Sequence, residues 1–442
     1  MTLALAGGTV VTSLDPSSVS VADILVDGGR VVSVGDGVRS GDERIDCANA
    51  LVIPGNVCAH HHLYSSLARG MPYRLEPPAN FLQILQRVWW RLDRALDGPA
   101  VWLSAWSGGA DALLAGTTTI VDHHASPNAI EGSLARVGAA LEALGVRSVL
   151  CYEVTDRDGP DRAAEGLEEH RRAAKDPSAL STSMVGAHAS FTLSEETLRA
   201  CVDLAAELDT GLHIHVAEDA ADQADARARF GRRVVERLAD AGALTERTLF
   251  AHTVHVDERE RELIRDSGAW VVHNARSNMT NRVGRAPVGE LGPHVALGTD
   301  GIDGDLFAES AAAFGRAHED DAGIQPSWAL ERQAASARFA GAALSEPLLG
   351  RIESGAPADL VVLDYDPPTP IEDGNLADHW VYGISAAQVR DVVVNGEVVV
   401  RGGRLVRGDE HEQRERAREA AAALWRRMDA IPAHGFAPAG AG

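Results

Sequence analysis

Residues 51–62 read LVIPGNVCAHHH, an apolar strand-like run that gives way to three consecutive histidines. Alternate side chains of a strand leave it on the same side, so His60 and His62 share a face while His61 points away. Two histidines so spaced are a weak signal alone. They gain meaning because other apolar runs end in the same manner: GLHIHVAE (211–218) ends at His215 with Glu218 three positions on, TLFAH (248–252) at His252, and HVALGTD (294–300) at Asp300. Counted along the chain, eight such runs lie near 51–59, 117–122, 146–152, 182–187, 211–216, 247–251, 268–272 and 294–299, alternating with helical stretches. That alternation predicts an α/β fold, a (β/α)8 barrel of the TIM type, in which the loops after the strands gather at one end.

The intervening helices read as ordinary packing elements. GSLARVGAALEALG (132–145), SEETLRACVDLAAELDTG (194–211) and DERERELIRDSG (257–268) carry apolar residues at helical spacing and run into glycine, and Ser194 reads as a helix cap. Both ends of the chain are different. LALAGGTVVT (3–12) and ADILVDGGRVVSVG (22–35) resemble short strands, and ADLVVLDYD (358–366) with VRDVVVNGEVVVRGGRLV (389–406) repeats the pattern around an Asn395-Gly396 hairpin signal. The two ends are expected to build one small composite β-sandwich, from residues 1–53 and 353–408. The barrel then spans 54–352, and residues 409–442 form a terminal helix and tail whose alternating charges suit a solvated face.

The formal net charge of −23 argues against nucleic acid or an anionic membrane as a partner, since polyanions are held by dense Lys and Arg patches. No basic-then-apolar leader and no apolar run of about 18 residues is present, which predicts a cytoplasmic chain that does not span a membrane. Cys47, Cys58, Cys151 and Cys201 lie far apart, without a CxxC pair, and read as small buried hydrophobes. A small-molecule substrate fits these properties best.

His60, His62, His215 and Asp300, brought to one barrel end, would hold one divalent ion, zinc foremost and iron as the alternative, with a position left for water. Glu218, just past its strand, is placed to move a proton between that water and a substrate nitrogen or leaving group. His252 would hold the water and polarise the substrate, and Asp300 could accept a proton while ligating. Substrate contacts are less determined. Arg69 and Asn80, in the long segment after the first strand (64–100), and His124, Glu153 and His188, after the second, third and fourth, are the candidates. In the same segment Phe81, Leu82, Leu85, Val88 and Trp89 read as the buried face of a helix, and the whole segment as a cover for the pocket mouth. A buried Glu153 would favour a substrate with N–H donors or positive charge, unless it pairs with Arg157.

Together, PGNVCAHHHLYSSLARGMP, GTTTIVDHHA, HIHVAE, FAHTVHVD, VVHNARSNM and ALGTDG resemble the amidohydrolase superfamily, in its mononuclear aminohydrolase and chlorohydrolase branch. NFLQILQRVWWRLDRAL, DHHASPNAIEGSL, LCYEVTDRDG and HASFTLSEETL are most similar to the SsnA-type aminohydrolases. The resemblance covers nearly the whole chain. It implies a metal on His60, His62, His215 and Asp300, catalytic Glu218 and His252, the composite sandwich, and a homodimer. Binuclear members bridge two metals with a carboxylated lysine on the fourth strand. The single lysine here, Lys175, lies in a polar helical stretch before that strand, which favours one metal. The function expected is deamination of a small purine- or pterin-like heterocycle by metal-activated hydroxide. Release of an alkylamine or chloride, or opening of a cyclic amide, is the alternative, and a non-catalytic metal-stabilised binding protein a more distant one.

Overall fold

The structure is a computed structural model that describes residues 2–37, 41–176 and 178–440. Its central element is a ring of parallel strands: Asn56–His61, Thr117–His124, Arg147–Tyr152, Ser181–Ser183 continued by Val185–Ala189, Leu212–Val216, Leu249–His252, Trp270–His273 and Val295–Leu297. The fourth is interrupted at Met184, so its first half pairs with the third strand and its second half with the fifth. Bridges Val154–Ala187 and His61–Asp300 join the two sheets, and the His60 carbonyl accepts from the Thr299 and Asp300 amides at the seam. Every inter-strand pairing in these sheets is parallel, as helix-connected strands require.

The barrel interior holds Val57, Ala59, Val121, Val149, Ala251, Val272 and Ala296, with Phe339 and Ala340 of helix Ser327–Ala343 in the same apolar cluster. Barrel interiors are filled, not hollow, by branched and small side chains of this kind. The first strand slips register between Cys58 and His61 against the second. Such a bulge re-aims the side chains beyond it, and here the inward row passes from Val57 and Ala59 to His60 and His62.

The run expected at 51–59 is two strands with different partners. Leu51–Pro54 pairs with Leu3–Leu14 and with Leu360–Leu363 of the terminal sheet, and only Asn56–His61 joins the barrel. The change falls at Gly55, where a Cβ would stand 2.2 Å from the Thr118 hydroxyl oxygen. Continuous hydrophobicity hid this break, because both strands are buried on both faces.

The two chain ends share a nine-stranded sheet over their own core of residues such as Leu5, Ile24, Val52, Leu360 and Val393. Asn395 and Gly396, at φ 51° and 76°, join Val389–Val394 to Glu397–Arg401. Both central residues of that turn are left-handed, as its type I′ geometry demands. Helix Glu410–Asp429 is capped by Asp409 and buries Ala417, Ala421, Leu424 and Met428. No helix among the described residues is long and apolar enough to cross a membrane.

Candidate active site

At the C-terminal end of the strands, His60, His62, His215 and Asp300 bring one donor atom each within 4.8 Å of one another. The local chain makes this possible. Asp300 has φ 54° and His252 φ 73°, left-handed values that non-glycine residues adopt rarely and at a cost of about 1–3 kcal/mol. Ala217, one residue before Glu218, shares the same backbone region at φ 48°.

The hydrogen bonds fix which nitrogen each ring presents. His62 Nδ1 donates to the His123 carbonyl at 2.6 Å and His215 Nδ1 to the His188 carbonyl at 2.7 Å. In the neutral rings each Nε2 therefore carries the lone pair, and the two face one another 3.1 Å apart. Asp300 Oδ1 lies 3.1 Å from His62 Nε2 and 3.5 Å from His60 Nε2, and the latter is buried without a hydrogen-bond partner. Facing lone pairs, an orphaned imidazole nitrogen and a carboxylate oxygen fit a divalent ion of zinc or iron character. His60 Nδ1 meets His213 Nε2 at 2.8 Å, the kind of support from behind that sets a ligand's orientation. Burial lowers the basicity of His62, but the Asp300 carboxylate outweighs it and raises the ring to about 9, so an ion binding there displaces a proton from Nε2. His61 turns away, to Thr299 Oγ1 at 2.9 Å.

Glu218, His252 and Asp300 form an adjoining group. His252 Nδ1 lies 2.8 Å from Asn278 Oδ1 and donates to it, which leaves Nε2 bare and 3.6 Å from Glu218 Oε2. Burial pushes the Glu218 carboxyl well above its ordinary value, and the Asp300 and Asp219 charges add to it. Ser277 donates a short hydrogen bond to Asp300 Oδ2.

A cavity open to solvent stands over this floor. Glu153 and His188 line it; Arg69, Asn80 and His124 do not. Arg69 is 60% exposed and pairs with Asp111 at 2.8 Å. Asn80 caps a helix, accepting from the Gln83 amide at 2.9 Å. His124 is fully buried beside Ser126 Oγ at 2.9 Å. Glu153 does pair with Arg157, at 2.8 Å, and Arg157 also holds Asp93. Burial opposes ionisation of Glu153, yet His188 and the Arg157 guanidinium hold its carboxyl well below the usual range.

The apolar wall was half legible. Phe81, Leu85 and Trp89, read as the buried face of a helix, line the cavity together with Trp90. Their helix, Phe81–Ala95, widens over Leu85–Trp89, immediately before Trp90. Tyr64, Phe191, Thr280 and Asn281 also line it. Nothing in their local sequence marked Tyr64, Phe191, Thr280 or Asn281.

Residues 51–399 match the profile of the amidohydrolase family. The chain is 34% identical over 437 residues to a 5-methylthioadenosine/S-adenosylhomocysteine deaminase of Halobacterium salinarum, covering 96% of this chain and 98% of the relative. It is 31% identical over 443 residues to a 5′-deoxyadenosine deaminase of Methanopyrus kandleri, covering 96% and 99%. Among solved structures, an adenosine deaminase from Xanthomonas campestris with bound zinc is similar at a TM-score of 0.83 and 25% identity, over 97% of this chain and 99% of that one. The barrel, its histidine and aspartate cluster and this full-length similarity together place the chain in the amidohydrolase family.

Proposed function

We propose that this protein is a metal-dependent hydrolytic deaminase that releases ammonia from a small purine- or pterin-like heterocycle, with His60, His62, His215 and Asp300 holding a single zinc or iron ion. The observation that carries the reading is the position of the Glu218 and His252 pair beside the four-donor cluster on the cavity floor. A structural metal site would have no use for a bare imidazole and a carboxyl group of raised proton affinity at its edge. The ion, when bound, supplies Lewis-acid activation of water.

The chain's own groups do the rest. Glu218, its proton affinity raised by burial, can take a proton from water and return it to the ring nitrogen next to the amino-bearing carbon. His252 keeps its Nε2 as an acceptor, because Asn278 engages the other nitrogen, and so orients the attacking water. Asp300 is held by Ser277 and can receive the second proton on its way to the leaving amine. The aromatic wall of Phe81, Trp89 and Trp90 excludes water from one side and offers a face for a flat ring. The full-length deaminase relatives support the choice of leaving group. A homodimer in the cytoplasm, with no nucleic acid or membrane partner, completes the reading.

The test is an ammonia-release screen of zinc- and iron-loaded protein over purines, pterins, pyrimidines and triazines, with chloride and alkylamine release followed in parallel. Ammonia from a bicyclic amino-heterocycle is the expected result. Chloride or alkylamine release without ammonia would overturn it.

A further inference from the structure

The cavity wall has a one-sided charge pattern. Glu153, Glu218, Asp219, Asp222 and Asp300 are among its lining residues, the Asp222 carboxylate being taken by the Phe191 and Ala217 amides, and among the described residues no lysine or arginine lines it. Two guanidinium groups stand behind the wall, both committed. Arg157 is 1% exposed and held between Glu153 and Asp93; Arg276 is held by Glu309 at 2.6 Å and Asp303 at 2.8 Å. A phosphate or carboxylate brought into this space away from the metal cluster would find no cationic side chain to replace its hydration.

His188 adds a direction. Its Nδ1 lies 2.7 Å from Thr192 Oγ1, and that hydroxyl donates its own proton to the Ala189 carbonyl at 3.1 Å. Nδ1 is then the donor, which leaves Nε2 of the neutral ring as an acceptor. It stands 3.7 Å from Glu153 Oε1, too far for a hydrogen bond, and both residues line the cavity. Two acceptors side by side, one of them a carboxylate, ask for neighbouring N–H donors from whatever occupies the space between them and the aromatic wall.

Resting on the deaminase reading, we propose that the cavity selects an uncharged or cationic aminoheterocycle whose N–H groups point at Glu153 and His188, and rejects the same heterocycle bearing a phosphate or carboxylate. His188 and Glu153 are thereby specificity-determining residues. The ring stacks on the Trp89 and Trp90 side while its amino-bearing carbon lies over the floor.

The experiment measures ammonia release by the zinc-loaded protein on matched pairs: pterin with pterin-6-carboxylate, guanine with guanosine 5′-monophosphate, and adenosine with adenosine 5′-monophosphate. The neutral member of a pair is expected to show a kcat/KM at least about 100-fold above its anionic partner, the size of effect that like-charge contact produces. Thr280→Arg, which puts a cation on the exposed rim of the cavity, should move that ratio toward the anionic member by about tenfold. His188→Ala should lower kcat/KM for the neutral substrate by about 10- to 100-fold, with bound zinc per chain unchanged, as expected when a buried N–H loses its acceptor. Equal turnover of both members leaves the deaminase reading in place and overturns the charge selection. No ammonia from any pair, with zinc bound, overturns the deaminase reading and this inference with it.

Discussion

At the scale of single residues, the site depends on hydrogen bonds that decide which nitrogen of each histidine is free. Backbone carbonyls of His123 and His188 take the Nδ1 protons of His62 and His215, and Asn278 takes that of His252. Glu218 is hydrogen-bonded to Asn281, and burial raises the proton affinity of its carboxyl. Glu218→Gln keeps the shape of the side chain and removes its proton chemistry, so kcat should fall by about 10²- to 10⁴-fold with bound metal per chain unchanged; an unchanged kcat would remove Glu218 from the mechanism. Cysteine chemistry gives a second residue-scale expectation. All four thiols are free and buried. Burial raises Cys47 and Cys58 to about 11 and pushes Cys151 and Cys201 up as well. Because the thiolate is the reactive form and its population falls as the pKa rises, the folded protein at pH 8 should react with a thiol reagent hardly at all. Four equivalents should react once the chain is unfolded. Rapid labelling of the native protein would contradict the burial.

At the scale of elements, the segment after the first strand is anchored from two sides. Asp93 of Trp90–Ala95 is bound by Arg157, which also holds Glu153 beyond the third strand, all at 4% side-chain exposure or less. Removing the guanidinium would strand two buried carboxylates. Arg157→Ala should therefore destabilise the fold by about 3–5 kcal/mol in denaturant titration; a loss under 1 kcal/mol would mean that water reaches the pair. On the other side, the chain after the terminal helix crosses the same segment. The His434 amide donates to the Gln86 carbonyl at 2.9 Å, the Phe436 ring stands 5.8 Å from Trp90, and the Ala439 amide donates to Asp225 at 2.7 Å. No periodicity in IPAHGFAPAGAG announces such contacts, since their partners lie some 200–350 positions away. Arg69 and Asn80, polar and in the right segment, looked like substrate contacts; their side chains are spent on Asp111 and on a helix cap. Local chemistry could not separate a polar residue that faces a cavity from one that closes a turn.

At the scale of the whole molecule, three strand ends from across the barrel, the first, fifth and eighth, converge on one set of donors. Such a site gathers three imidazoles around one carboxylate, and a bound cation ties the four strand-end groups together. A chelator should thus lower both activity and the thermal midpoint. Zinc or iron should restore both, with stabilisation of about 2.7 kcal/mol at about 100 times the dissociation constant. A midpoint indifferent to the chelator would count against a metal at this cluster.

Much of the plan was legible in the sequence because it is periodic or local. The eight runs, the histidines and carboxylates at their ends, the Asn395-Gly396 turn and the helix after Asp409 each rest on side-chain alternation or on turn and cap preferences acting over a few residues. The gathering of His60, His62, His215 and Asp300 also follows from the barrel, which sends every strand end to one face. What only the tertiary structure decided depends on contacts between distant segments. These are the change of sheet at Gly55, the widened turn over Leu85–Trp89, and the hydrogen-bond partners that set the tautomers of His62, His215 and His252. They also include the absence of cationic side chains among the described residues of the cavity wall. The physical reason is that propensity acts along the chain, whereas burial, hydrogen-bond partnership and local charge are properties of the space that folding encloses.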